Sequence, residues 1–127
     1  MAESINIELV TPSEMLFTDT ADMVVVPGSE GVFGVLPRHA ATLANLQRGE
    51  INVYNSGSIT RRFFIDGGVA DVLPERVIIL AERAVDLDSV SIQQLEERAV
   101  NATESEASFI AAVKKLFNIS ITNLVFC

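Results

Sequence analysis

Prolines and glycines cut the chain between Ser4 and Glu82 into short runs, and this punctuation is the strongest constraint on its fold. Ile5, Ile7 and Leu9 alternate with Asn6 and Glu8, the period-2 pattern of a half-buried strand, until Pro12 stops it. Met15-Leu16-Phe17 is a second short apolar run. Met23 to Val26 is rich in β-branched residues and ends at Pro27-Gly28-Ser29. Val32 to Leu36 ends at Pro37, and a brief extended stretch around Leu43 and Leu46 ends at Arg48-Gly49. Ile51 and Val53 then lead into Asn55-Ser56-Gly57-Ser58, whose composition is that of a hairpin turn, and Ile59 to Ile65 pairs back. Gly67-Gly68 turns the chain into Val69 to Leu73, and Pro74-Glu75-Arg76 turns it into Val77 to Leu80. Many short strands at this spacing predict an antiparallel sandwich or barrel.

The pattern changes near Ala84. Ser91 followed by Gln94 has the form of a capping box, and Ile92, Leu95, Ala99 and Ala102 fall at helical spacing. A second helical stripe runs through Phe109, Ile110, Val113, Leu116, Phe117, Ile121 and Leu124. A short turn near Thr103 to Glu106 would join the two as a helical hairpin. The expected organisation is a β-sandwich domain over residues 1–84 and a C-terminal helical hairpin over 85–127. The final stretch from Asn118 is rich in β-branched residues, which lowers its helix propensity.

Composition narrows the function. The chain has 127 residues and a net charge of −8, from 17 acidic and 9 basic side chains. An acidic surface without a basic stripe does not suit a phosphate backbone, so no nucleic-acid partner is expected. Cys127 is the single cysteine, so no internal disulfide is possible, and a reducing compartment is expected. The start carries acid instead of a basic, apolar leader, and no apolar run approaches a bilayer span.

Residues that could carry chemistry are few. His39 is the single histidine and has no flanking catalytic motif. Gly28-Ser29-Glu30-Gly31-Val32-Phe33-Gly34 lacks the Gly-Lys-Ser/Thr ending of a phosphate loop, so its glycines read as turn formers. Asp86 and Asp88, with Glu82, read as a solvated linker before a helix. Arg61 and Arg62, adjacent on a strand, face opposite sides. No catalytic, cofactor-binding or metal-ligating set is expected. A sugar- or lipid-binding sandwich module is the alternative, although no Trp and a single Tyr, Tyr54, are available to line a pocket. An enzyme built on His39 and a carboxylate is the other.

A set of residues in order carries a resemblance. Thr11-Pro12 follows the first strand, and Gly28-Ser29-Glu30-Gly31 leads to Gly34-Val35-Leu36-Pro37, then His39-Ala40. Gly49 precedes a strand. Phe64-Ile65, Gly67-Gly68-Val69-Ala70-Asp71-Val72 and Val77-Ile78-Ile79-Leu80-Ala81-Glu82 complete the set. Together, over about residues 3 to 100, they resemble the epsilon subunit of F-type ATP synthases. The resemblance implies a flattened ten-stranded antiparallel β-sandwich followed by a two-helix hairpin. It implies a non-catalytic rotor subunit of the central stalk that links the gamma subunit to the c-ring and couples proton flow to ATP synthesis. Alpha and beta subunits would be further partners through the hairpin. No homo-oligomer is implied, and membrane association would be indirect, at the cytoplasmic face of a bacterial inner membrane or, alternatively, in an organelle.

Carried onto this chain, the resemblance places Glu30, Gly31, Val32, Phe33 and Gly34 in a c-ring-facing loop. It places His39, Ala40, Ala41 and Leu43 against gamma. The chain departs from the family at several points. Val32 stands where relatives commonly carry a carboxylate, with Glu30 the nearest acid. Arg38 and Ala41 stand where relatives commonly have glycine and proline. The stretch from Val90 to Glu96 lacks the acid and arginine of the nucleotide-binding pattern of some members, so no ATP binding is expected. The second helix offers Lys114 and Lys115 as its basic residues, so a hairpin that stays packed and inhibits weakly or not at all is expected.

Overall fold

The fold was analysed in a computed structural model that describes residues 4–99 and 103–126. Ten strands and two helices follow one another. The strands are β1 (Ile5–Val10), β2 (Met15–Ala21), β3 (Met23–Gly28), β4 (Gly31–Val35), β5 (Thr42–Leu46), β6 (Gly49–Asn55), β7 (Ser58–Ile65), β8 (Gly68–Leu73), β9 (Arg76–Ala81) and β10 (Ala84–Asp86). The helices are α1 (Ile92–Ala99) and α2 (Glu104–Phe126). The chain divides into two compact units, Met1–Asp88 and Ser89–Cys127.

In the first unit the strands form one curled sheet in the order β10-β7-β6-β3-β5-β8-β9-β1-β2, with β4 added on β3. This is the mostly-β architecture with C-terminal helices that the sequence predicts. Its neighbours are antiparallel with one exception: β1 runs parallel to β9, with Ile7 opposite Val77. Period-2 alternation at β1 does not distinguish the two senses, because both bury the same face. The core is the space between the sheet's two layers. Ile5, Ile7 and Leu9 of β1, Val24 and Val26 of β3, Ile51 and Val53 of β6, and Val77 and Ile79 of β9 fill it, all buried.

Turn chemistry sets the register. Ser56 and Gly57 both take positive φ, 54° and 79°, the backbone of a two-residue hairpin whose twist matches its strands. The turn is pinned from outside, where the Ser56 amide donates to Asp22 Oδ2 at 2.7 Å. Gly67 and Gly68, at φ 75° and 142°, carry the chain from β7 to β8. A Cβ on Gly68 would fall 2.0 Å from the Leu80 carbonyl oxygen, so this crossing needs glycine for space as well as for backbone angle. Asp66 beside it accepts from Arg48 Nε at 2.9 Å and from Arg83 Nη1 at 2.8 Å, tying three segments at the crossing.

The second unit begins with the capping box that Ser91 and Gln94 announce. The Gln94 amide donates to Ser91 Oγ at 3.1 Å, and the Ser91 amide donates to Gln94 Oε1 at 3.0 Å. α2 starts at Glu104 with Thr103 as its cap, the Glu106 amide donating to Thr103 Oγ1 at 3.3 Å. The expected turn at Thr103 to Glu106 is therefore already helix from Glu104, because Thr103 with Glu106 three residues on is itself a start signal. Leu95, Phe109, Ile110 and Val113 are buried and Leu116 is half-buried. α2 runs on to Phe126 despite its β-branched end. Ala102 and Cys127 lie outside the described residues, as do the side chains of Ile92, Ala99, Phe117, Ile121 and Leu124.

Candidate partner-docking site

The β3–β4 hairpin is closed by Ser29 and Glu30, with Gly28 paired to Gly31. Gly28 has no room for a side chain: a Cβ there would meet the Gly31 carbonyl oxygen at 2.6 Å and the Phe33 ring at 2.8 Å. The Phe33 ring thus lies against bare backbone at the hairpin's root, half-buried against the core. Alternation along β4 turns Phe33 and Val35 inward and leaves Val32 outward, 69% exposed. Glu30, Gly31 and Gly34 are exposed as well.

Leu36 to Thr42 returns the chain to β5. Arg38 holds a left-handed φ of 67°, and its amide donates to the Pro74 carbonyl. His39 follows in a tight turn, its amide donating to Leu36 at 3.2 Å and its ring Nδ1 donating to the Ala40 carbonyl at 2.8 Å. Thr42 Oγ1 donates to the same carbonyl at 3.2 Å. This segment is therefore held by local bonds and by the Arg38 bond to Pro74, with Ala40 and Ala41 exposed. Leu43 opens β5 and is 74% exposed, the most exposed of the large apolar side chains among the described residues.

The structure brings these two segments together. The Ser29 amide donates to the Asn45 carbonyl and the Gln47 amide to the Pro27 carbonyl, both at 2.9 Å, which stitches β5 to the hairpin root. Between them lies an open hollow of about 370 Å³, with Glu30, Gly31 and Phe33 on one wall and Leu43 on the other. His39, Ala40 and Ala41 do not line it. Thr42, Ala44 and Asn45 do, and sequence reading did not select them. Alternation along β5, with Leu46 buried and Leu43 and Asn45 exposed, could have found Asn45, which shares Leu43's side, but carried no signal for Thr42 and Ala44 on Leu46's side.

Leu43 also belongs to a larger outward face. Leu43 pairs with Asp71 and Asn45 with Val69 on β8, and these pair with Ile78 and Leu80 on β9. Their alternates Ala44, Ala70 and Ile79 point to the core side, so Leu43, Val69, Ile78 and Leu80 share the solvent side. Half-exposed Leu80, 50% accessible, borders a second shallow hollow of about 440 Å³ with Val10, Pro12 and Val69.

The aspartates at the end of β10 and just beyond it are not a free linker. Asp86 is paired with Arg61, and Asp88 lies 3.6 Å from the Arg62 guanidinium. Asp88 and Glu82 are exposed, as the sequence predicts, but the ion pairs were not legible there because the partners of Asp86 and Asp88 sit 25 and 26 residues upstream on β7. Among the described residues, no three His, Cys, Asp or Glu side chains form a metal-binding group. No described helix is long and apolar enough to cross a membrane.

Residues 4–87 match the family described as the ATP synthase, Delta/Epsilon chain, beta-sandwich domain. The chain is 41% identical over 124 residues to the ATP synthase epsilon chain of Rhodospirillum rubrum, covering 91% of this chain and 92% of that one. It is 44% identical over 102 residues to the ATP synthase epsilon chain of Syntrophobacter fumaroxidans, covering 78% and 75%. Its fold is similar to a chain in the cryo-EM structure of the Euglena gracilis mitochondrial ATP synthase OSCP/F1/c-ring, with a TM-score of 0.62 at 22% identity over 95% of this chain and 81% of that one. A chain of the Tetrahymena thermophila mitochondrial ATP synthase central stalk/c-ring gives a TM-score of 0.56 at 16% identity, over 89% and 90%. A sandwich with an exposed apolar face, followed by a capped helical pair and matched along nearly its whole length, belongs to the ATP synthase epsilon-chain family.

Proposed function

We propose that this chain is a non-catalytic subunit of the central stalk of a proton-translocating F-type ATP synthase. It joins the gamma subunit to the c-ring and carries rotation between proton flow and ATP synthesis. The observation that carries this reading is Leu43, a large apolar side chain left in water on the rim of a hollow that it shares with the β3–β4 hairpin. Leaving such a side chain exposed forgoes about 2 kcal/mol of burial, which a partner would recover. The core behind it is closely filled with branched side chains, so the face is rigid, as a coupling element requires.

In this reading Glu30 to Gly34 face the c-ring, and His39, Ala40, Ala41 and Leu43 face gamma. Because Glu30, Gly31 and Phe33 of the first set and Leu43 of the second line one hollow, the two partners would meet there. Val32 makes the ring contact apolar at its tip, with Glu30 supplying the charge. The sandwich domain carries both contacts, and the helical hairpin that follows it is an adjunct to them. Alpha and beta subunits are reached through that hairpin. The subunit sits peripherally on the cytoplasmic face of a bacterial inner membrane, held there through its partners. The test is a pull-down from native membranes with the tagged chain: gamma and the c-ring are expected to co-purify in fixed ratio. Recovery of the chain without either would sink this reading.

A further inference from the structure

β10 is a three-residue edge strand, paired to β7 at Ala84–Ile65, Val85–Phe64 and Asp86–Phe63. A strand this short at a sheet edge frays unless something beyond its ladder holds it. Here the ladder is continued by side chains. The Leu87 amide donates to the Arg62 carbonyl at 3.0 Å. The Arg62 amide then donates to Asp88 Oδ2 at 3.0 Å, so a carboxylate stands where a further strand residue would offer its carbonyl. The Arg62 guanidinium approaches the same carboxylate at 3.6 Å, and the Asp88 amide donates to Asp86 Oδ1 at 2.9 Å. Asp86 meanwhile binds Arg61. Two adjacent arginines on opposite faces of β7 thus grip two alternate aspartates of the segment that ends the first unit at Asp88.

We infer that Ala84–Asp88 is a strap, latched to β7 by the Arg61–Asp86 and Arg62–Asp88 pairs, and that it opens as one piece while the rest of the sheet stays closed. The grip on Asp88 is the outer catch: it is 41% exposed at its side chain, against 20% for Asp86. Release of Asp88 therefore frees the whole strap back to Ala84. The location of the catch also fixes where the chain becomes free of β7, after Asp88 and not after Ala81. This inference is independent of the proposed partners.

Amide hydrogen exchange on the full chain tests it. In the unaltered protein the Leu87 and Arg62 amides are expected to exchange faster than those of Ile79 and Val26 in the core strands. Asp88→Ala is expected to speed Leu87 and Arg62 exchange by about tenfold or more, with the Ile79 and Val26 rates within about twofold of the original. Asp88→Asn, which keeps an acceptor oxygen but loses the charge, is expected to fall between. Equal rates for strap and core in the unaltered protein would overturn the inference. So would unchanged Leu87 and Arg62 rates in Asp88→Ala, or an equal acceleration across the whole sheet.

Discussion

The Arg61 guanidinium carbon lies 4.7 Å from the centroid of the Phe17 ring. Phe17 is on β2, at one end of the curled sheet's path, and Arg61 is on β7, next to the strand at the other end, so this contact closes the gap between its two layers. The Phe63 ring completes it, 5.3 Å from the same carbon and 5.0 Å from Phe17. Arg61→Ala removes a cation, its aliphatic stem and the partner of Asp86 together. A loss of about 1–2 kcal/mol is expected, read as a lower denaturation midpoint at unchanged slope. Arg61→Lys is expected to recover less than half, since an ammonium lacks the flat face that stacks on the ring. A midpoint unchanged in Arg61→Ala would show that the contact contributes nothing.

Gly68→Ala meets two obstacles at once, a φ of 142° and the Leu80 carbonyl oxygen 2.0 Å from the new methyl. Both are backbone problems, which a side-chain rotation does not relieve. Destabilisation of about 3 kcal/mol or more is expected in thermal unfolding, against less than about 1.5 kcal/mol at Gly57, whose added methyl meets open space. Equal losses at the two glycines would mean that the β8–β9 approach is softer than its geometry.

Leu43 is exposed enough that Leu43→Glu is expected to leave the isolated chain folded, with an unchanged melting temperature. If Leu43 enters the gamma interface, the new carboxylate would be buried without a partner. Binding is then expected to weaken by about 2–4 kcal/mol in a titration against gamma. Unaltered affinity would remove Leu43 from that interface.

Inhibition of ATP hydrolysis by an extended hairpin would call for a basic face on α2. Lys114 and Lys115 are adjacent, so on a helix they point about 100° apart. Phe109, Ile110 and Val113 are buried, and exposing them would cost several kcal/mol, at about 25 cal/mol per Å². Deleting residues 105–127 is therefore expected to leave hydrolysis by the assembled enzyme nearly unchanged. A several-fold rise would show that the tail inhibits by a route its charges do not reveal.

Local signals proved readable and distant pairings did not. Asn55 to Ser58 forms the hairpin that its composition announces, and Ser91 with Gln94 forms both bonds of its box, because each feature depends on residues two to four apart. The β1–β9 pairing, the three-residue β10 and the partners of Asp86 and Asp88 depend on residues far apart in sequence. Leu43 was reached through the family resemblance, which could not show that β5 closes the hollow beside the β3–β4 hairpin. That required the single register contact of Gly28 with Leu46.

The parallel pairing of β1 with β9 also dictates an order of events during synthesis. Ile7 faces Val77, so 77 − 7 = 70 residues must be made before the first strand gains its second neighbour. Until then β1 has β2 alone, a two-stranded ribbon that is marginal in water. Closing so long a loop is slow and entropically costly, whereas the hairpins of β3–β4 and β6–β7 form locally. The nascent chain therefore carries Ile5, Ile7 and Leu9 uncovered for most of its translation. Ribosome-bound chains halted before Arg76 should be cut readily by protease in β1, and chains halted well past Ala81 should resist. The oldest part of the polypeptide is the part that waits longest to fold.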